Sequence, residues 1–211
     1  MGLFITFEGI EGCGKTTQAR LLNDHLNAKG VETILIREPG GTALGEKIRG
    51  ILLTAEGDAT TPVAELFLYE ACRAQLVNTV IRPALAKGLT VICDRFTDST
   101  TAYQGYARGL DLASIASANA IATGGLRPDI TILMDCAPAM GLGRAIKRME
   151  QAGDEREDRF EREAAAFHEK VRAGYLSIAR AEPGRVKLVD AGREIPLIHK
   201  DICDIINEII L

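Results

Sequence analysis

Gly9-Ile10-Glu11-Gly12-Cys13-Gly14-Lys15-Thr16 follows the pattern G-x-x-x-x-G-K-[ST] of a phosphate-binding loop. By average residue frequencies this pattern arises by chance in about one chain of this length in a hundred. Its flanks argue further against chance. Leu3 to Phe7 ahead of it has strand character, and a helical pattern follows from Thr17 to Lys29. That order aims backbone N–H groups and the positive helix end at an anion. The glycines let the backbone wrap closely around phosphate oxygens. Lys15 is expected to reach the outer phosphates and the Thr16 hydroxyl to ligate Mg²⁺, with Gly9 through Thr17 cradling a nucleoside triphosphate. The plainer alternative, a glycine-rich turn that merely caps a helix, does not account for the lysine and threonine together.

Outward from the loop, strand and helix patterns alternate. Val31–Ile36, Leu89–Cys93, Ile130–Asp135 and Val186–Asp190 read as further strands. Helical spacing covers Ala43–Leu53, with Leu44, Ile48, Ile51 and Leu52 on one side. Thr61 reads as an N-cap, with Pro62 opening a long helix to about Lys87-Gly88 that Pro83 should kink. Phe67 on that helix reads as core. Helices are also expected at Thr100–Tyr106, Leu112–Ala122, Pro138–Arg148, in the alanine-rich stretch ending at Ala181, and from Pro196 to Ile210. The alternation predicts a three-layer α/β fold, a five-stranded parallel sheet flanked by helices. No repeat or linker divides residues 1–211, so one domain is expected. Ligands in such folds bind beyond the carboxyl ends of the strands. Glu8, Arg37-Glu38, Asp94-Arg95, Asp135 and Asp190 should therefore border one cleft.

The 211 residues are 46% hydrophobic and 26% charged, which allows one sizeable core. A net charge of −4 with no basic tract argues against nucleic acid as the partner. No apolar run approaches membrane-spanning length, and the N-terminus lacks the pattern of a signal peptide, so a cytoplasmic protein is expected. Five scattered cysteines form no C-x-x-C pair. Cys93 and Cys136 read as core residues, whereas Cys13 lies inside the phosphate loop, where its modification is expected to block nucleotide binding.

A phosphate loop alone serves kinases, switch GTPases and mechanical ATPases alike. The guanine-reading N-K-x-D and the transporter signature L-S-G-G-Q are both absent. Asp94-Arg95 ends an apolar strand, where Asp94 could hold Mg²⁺ and Arg95 could fork onto a second phosphate. The dipeptide fits equally well a helix-capping aspartate beside a surface arginine.

Four motifs in order decide between these. Phe7 through Thr17, Arg37-Glu38-Pro39-Gly40-Gly41-Thr42, Asp94-Arg95-Phe96, and Ser99-Thr100-Thr101-Ala102-Tyr103-Gln104-Gly105 together resemble the thymidylate kinase family over nearly the whole chain. The resemblance implies a P-loop nucleoside monophosphate kinase fold. It also implies transfer of a phosphoryl group from Mg-ATP to dTMP, giving dTDP for dTTP and DNA synthesis, in a homodimer. It assigns Glu11 to the acceptor's 3′-hydroxyl or the magnesium water shell. Glu38 and Pro39 would approach the monophosphate, and Arg49 and Arg95 would hold its phosphate. Tyr69 would stack on the base and Arg73 would bond a thymine carbonyl. Thr100 and Gln104 would touch the base edge, and Tyr103 would pack under the deoxyribose. Phe96 stands where many members carry tyrosine. Adenine contacts fall near Asp190-Ala191-Gly192-Arg193. A kinase for another monophosphate such as UMP, or an ATP-dependent switch with no acceptor, are the rival readings.

Members of the family carry the arginine that stabilises the transferring group either in the phosphate loop or in a lid. Position 12 is glycine here, so the resemblance sends the cation to a lid at about 148–162. Asp158-Arg159-Phe160-Glu161 best matches the lid motif and makes Arg159 the first choice. Arg148 and Arg156 follow, among Arg144, Lys147 and Arg162.

Overall fold

A computed structural model describes residues 2–53, 60–152 and 163–210. The elements run β1 (Phe4–Glu8), α1 (Lys15–Ala28), β2 (Thr33–Arg37), α2 (Ala43–Leu53), α3 (Pro62–Leu76), α4 (Arg82–Ala86) and β3 (Thr90–Asp94). They continue as α5 (Thr97–Thr100), α6 (Leu112–Thr123), β4 (Ile130–Asp135), α7 (Pro138–Ala152), α8 (Ala165–Ala181), β5 (Val186–Asp190) and α9 (Ile195–Ile210).

The five strands form one sheet in the order β2-β3-β1-β4-β5, with every pair parallel. Parallel strands need crossovers, and the crossover helices cover both faces. Side-chain alternation along β1 divides the core accordingly. Ile5 and Phe7 join Leu22, Leu26, Ile132, Val171, Tyr175 and Ile202 on one face. Phe4 joins Leu76, Val77, Ile81, Val91 and Phe96 on the other. The central strands β1 and β3 are buried at every position, whereas edge strands β2 and β5 are only partly buried. Buried polarity within the sheet is matched: the Thr6 and Thr131 hydroxyls lie 2.7 Å apart between β1 and β4.

Thr61 caps α3 as expected, accepting from the Ala64 N–H, with Pro62 in the first turn. Pro83 does not simply kink the long helix. A π turn at Val77–Ile81 separates α3 from α4, closed by the Arg82 N–H on the Val77 carbonyl. Pro83 offers no N–H to the Thr79 carbonyl and crowds it, and the widened turn accommodates that. A second π turn, Thr101–Ala107, continues α5, so the helix expected from Thr100 starts three residues earlier. It carries Tyr103 and Gln104 into the interior.

Two expectations about helix faces are corrected. Of the four apolar side chains on one side of α2, Ile48 and Leu52 are buried while Leu44 and Ile51 are exposed, because the buried stripe is narrower than the apolar one. Phe67 is 64% exposed rather than core, since α3 turns Leu66 and Glu70 inward instead.

Candidate active site

The carboxyl ends of β1, β3 and β4 converge on the phosphate loop, which lies between β1 and α1. Two of its glycines are sterically required. Gly9 has φ 139°, and a Cβ there would stand 2.4 Å from the Met134 carbonyl oxygen. Gly12 has φ 66°, and a Cβ would stand 1.9 Å from the Gly141 carbonyl oxygen of α7. Backbone contact with a neighbouring strand and helix therefore fixes the loop's path. Lys15 folds back over it, its ammonium donating to the Gly9 carbonyl at 2.9 Å and the Ile10 carbonyl at 2.7 Å. Thr16 and Thr17 face outward in the first turn of α1.

Ile10 and Cys13 point into the core, Cys13 being 1% exposed. Modification of Cys13, expected to block nucleotide binding, would need the loop to open first, because the thiol is closed off from solvent. All five cysteines are buried and free, Cys93 and Cys136 in the core as expected.

At the end of β3, Asp94 Oδ2 accepts a hydrogen bond from the Thr16 hydroxyl at 2.5 Å. Arg95 follows with φ 74°, the sole positive φ outside glycine among the described residues. A left-handed arginine costs energy and is held by its surroundings. Its Nη2 donates to Glu11 Oε1 at 3.0 Å, and its Nη1 reaches the Gly9 carbonyl at 3.1 Å and the Ser99 and Tyr175 hydroxyls at 3.3 Å. The guanidinium carbon also lies 5.1 Å from the Tyr103 ring centre.

Glu11 joins these groups. Tyr103 donates its phenol to Glu11 Oε1, and His168 Nδ1 lies 3.4 Å from Oε2. Burial works to raise the Glu11 pKa, but His168, Arg95, Lys15 and Tyr103 outweigh it and bring it to about 2. Glu8, three residues earlier at the end of β1, behaves oppositely. It accepts from the Phe96 N–H at 2.7 Å, the Ser99 hydroxyl at 2.6 Å and the Tyr175 hydroxyl at 2.9 Å. Burial, with Asp98 nearby, still lifts it to about 7.

A second buried cluster lies between β2, α3 and α6. Arg73, 1% exposed, donates to Glu38 at 2.9 Å, Glu70 at 2.7 Å, Asn119 at 2.8 Å and the Phe96 carbonyl at 3.1 Å. Burial raises Glu38 to about 7 against the pull of Arg73. A thymine carbonyl would have to displace one of the Arg73 acceptors. Gln104 donates to Glu65 at 2.7 Å, and the buried Thr100 hydroxyl lacks a partner. Arg49 donates to the Pro39 carbonyl at 3.1 Å, which ties α2 to the Glu38-Pro39 loop. Tyr69 is half-buried against two core clusters.

The structure thus gathers Glu11, Lys15, Thr16, Asp94, Arg95 and Tyr103 around the phosphate loop. Glu38 and Arg73 pair in the second cluster, and Thr100 and Gln104 are buried on α5 and the π turn that follows it. Arg156, Arg159 and Arg162, and the side chain of Arg148, fall outside the described residues. In the loop expected near adenine, the Gly192 N–H bonds Asp190 at 2.8 Å, and Arg144 donates to the Ala191 carbonyl at 2.9 Å.

His168 and Tyr175 were not read as site residues. Both lie on α8, seven residues apart with Val171 between, which is two turns on one face. A histidine and a tyrosine on an otherwise apolar stripe were the available signal.

The family model described as thymidylate kinase matches residues 7–202. The thymidylate kinase of Geotalea daltonii is 57% identical over 196 residues, covering 92% of both chains. That of Geobacter sulfurreducens is 50% identical over 206 residues, covering 98% of this chain and 97% of the relative. The crystal structure of thymidylate kinase from Ehrlichia chaffeensis superposes with a TM-score of 0.77 at 34% identity, covering 98% of each chain. With its parallel sheet, phosphate loop and Asp94-Arg95 strand end, the chain belongs to the thymidylate kinase family.

Proposed function

We propose that this chain transfers the γ-phosphoryl group of ATP to dTMP, forming dTDP for dTTP and DNA synthesis. The observation that carries the reading is the Glu11–Arg95–Tyr103 cluster. It sets a cation and a hydroxyl-accepting acid directly beside the loop that holds the donor phosphates. Because Glu11 stays ionised, it can accept from a sugar hydroxyl, and the planar Arg95 fork suits a phosphate. The unpartnered Thr100 hydroxyl and the neighbouring Gln104 supply polar groups for a base edge.

Mg²⁺ fits the donor set. Thr16 and Asp94 present hard oxygens 2.5 Å apart at the mouth of the loop. Mg²⁺ bound there would neutralise charge between the donor and acceptor phosphates. Lys15 binds the outer phosphates, and Arg95 with Arg49 orients the acceptor. The segment at about 148–162, with Arg159 first and Arg148 next, acts as a lid that excludes water and supplies the remaining cation. A phosphate monoester oxygen is already ionised at neutral pH, so positioning and charge stabilisation dominate over base catalysis.

A panel of monophosphates with ATP and Mg²⁺, read by ADP release, tests this. Turnover with dTMP and little with UMP is expected; hydrolysis of ATP without acceptor dependence would refute it. The same reading makes the protein a cytoplasmic homodimer. Ile121, 83% exposed on α6, and Phe67 on α3 form an apolar face suited to a second copy. Sedimentation at a single-chain mass would contradict the dimer. Among the described residues, no helix is long and apolar enough to cross a membrane.

A further inference from the structure

Far from the nucleotide site, two of the chain's three histidines meet one of its five cysteines. His25 lies on α1 one turn from its end, and His199 and Cys203 lie four residues apart on α9. That spacing puts the latter two on one face of α9, the face packed against α1. One ligand atom from each of the three lies within 4.8 Å of the others. His199 Nε2 is 3.4 Å from Cys203 Sγ, and the two imidazoles meet edge to face at 5.8 Å.

We propose that His25, His199 and Cys203 form a binding site for a borderline-soft divalent cation of the zinc class, bolting α9 onto α1. The donor set is two imidazole nitrogens and one sulfur, which favours zinc over magnesium. Zinc–nitrogen and zinc–sulfur bonds in a tetrahedral site place N and S about 3.5 Å apart, close to the separation already present. Small rotations of His25 would bring in the third ligand, with water as the fourth. His25 Nε2 is buried and has no hydrogen-bond partner, so a ligand would satisfy an atom that the fold otherwise leaves costly.

The protonation of the two kinds of donor differs. Burial and the His25 neighbour both lower the His199 pKa, favouring the neutral imidazole that a metal needs. Burial and Asp204 raise the Cys203 thiol while Lys29 works the other way, so a bound cation would have to displace the thiol proton. Lys29 opposes a cation electrostatically, but its ammonium is drawn to Asn207 Oδ1 at 2.9 Å. The consequence is mechanical. α1 begins at Lys15 in the phosphate loop, so the cation would tie the C-terminal helix to the helix that supports the donor phosphates.

The test is a Co²⁺ titration of the untagged, reduced protein, with excess Mg²⁺ present to occupy oxygen sites. A thiolate-to-cobalt charge-transfer band saturating at one equivalent, and bleached by Zn²⁺, is expected. Cys203→Ser should abolish the band. His25→Gln and His199→Gln, both at partly exposed positions, should each weaken binding by at least about tenfold while retaining native circular dichroism. No charge-transfer band in the wild type, a band that persists in Cys203→Ser, or unchanged affinity in both histidine variants would each overturn the assignment.

Discussion

Arg95 Nη2 donates to Glu11 Oε1 across 3.0 Å, joining the end of β3 to the middle of the phosphate loop. The same carboxylate oxygen accepts the Tyr103 phenol, so a single acid positions both the cation and the ring beside the phosphate loop. Glu11→Gln keeps the shape and removes the charge. Since hydrogen bonds to charged groups contribute about 1.5–3 kcal/mol, kcat/KM for dTMP should fall roughly ten- to hundredfold. KM for ATP should change much less. Steady-state kinetics with both substrates varied checks this, and an equal loss toward ATP would shift the role of Glu11 to the triphosphate.

Glu8 makes a prediction about stability and pH. Its folded pKa, about 7, exceeds its ordinary 4.5, because burial and Asp98 disfavour the charge. The folded state therefore binds more protons than the unfolded one between those values, and stability falls as pH rises through them. Glu38, also at about 7, acts in the same direction. Tm should decline from about pH 5 to about pH 8, and Glu8→Gln should flatten the slope. The Ser99 and Tyr175 hydroxyls can accept from the new amide, so the variant should fold. Thermal melts across that range give the answer; an unchanged slope in the variant would assign the effect elsewhere.

Much of this was legible in the chain, and the limits have physical causes. The sheet followed from apolar runs alternating with helical periods, because parallel strands buried on both faces leave a continuous hydrophobic signature. The phosphate loop was readable because its chemistry is local in sequence. Arg73 was harder: only Glu70, three residues earlier on α3, is linked to it by spacing, whereas its other acceptors come from β2's following loop, α6 and the residue after Arg95. His168 reaches Glu11 across more than 150 positions, a relation that only folding creates. Phe67 misled because an exposed apolar residue and a core one look alike without the helix's rotation.

The Arg73 cluster bears on stability first. Arg73→Ala removes the partner of two buried carboxylates, Glu38 and Glu70. Breaking a buried pair from one side costs about 3–5 kcal/mol, so the urea midpoint should drop accordingly. Arg73→Met combined with Glu38→Gln should recover part of that loss, because it removes charge from both sides. A double variant no more stable than Arg73→Ala would mean that packing, not charge, dominates.

The last prediction concerns the catalytic cation. Position 12 is glycine, and with α7 placed as it is here even a Cβ would stand 1.9 Å from the Gly141 carbonyl oxygen. Lys15 is assigned to the outer phosphates of the donor, and Arg95 is anchored by Glu11, Gly9, Ser99 and Tyr175. Arg172, another cation near the strand ends, forks onto Asp135 at 2.7 and 2.9 Å. A further cation at the transferring group is best drawn from the segment at about 148–162, and Arg159 matches the family's lid motif. Arg159→Ala should therefore lower kcat by about a thousandfold or more, as for other arginines acting on a transferring phosphoryl group, with little change in KM for dTMP. Single-turnover measurement separates that chemical defect from slowed product release. If Arg159→Ala retains near-normal kcat while Arg148→Ala or Arg156→Ala does not, the cation belongs to that residue instead.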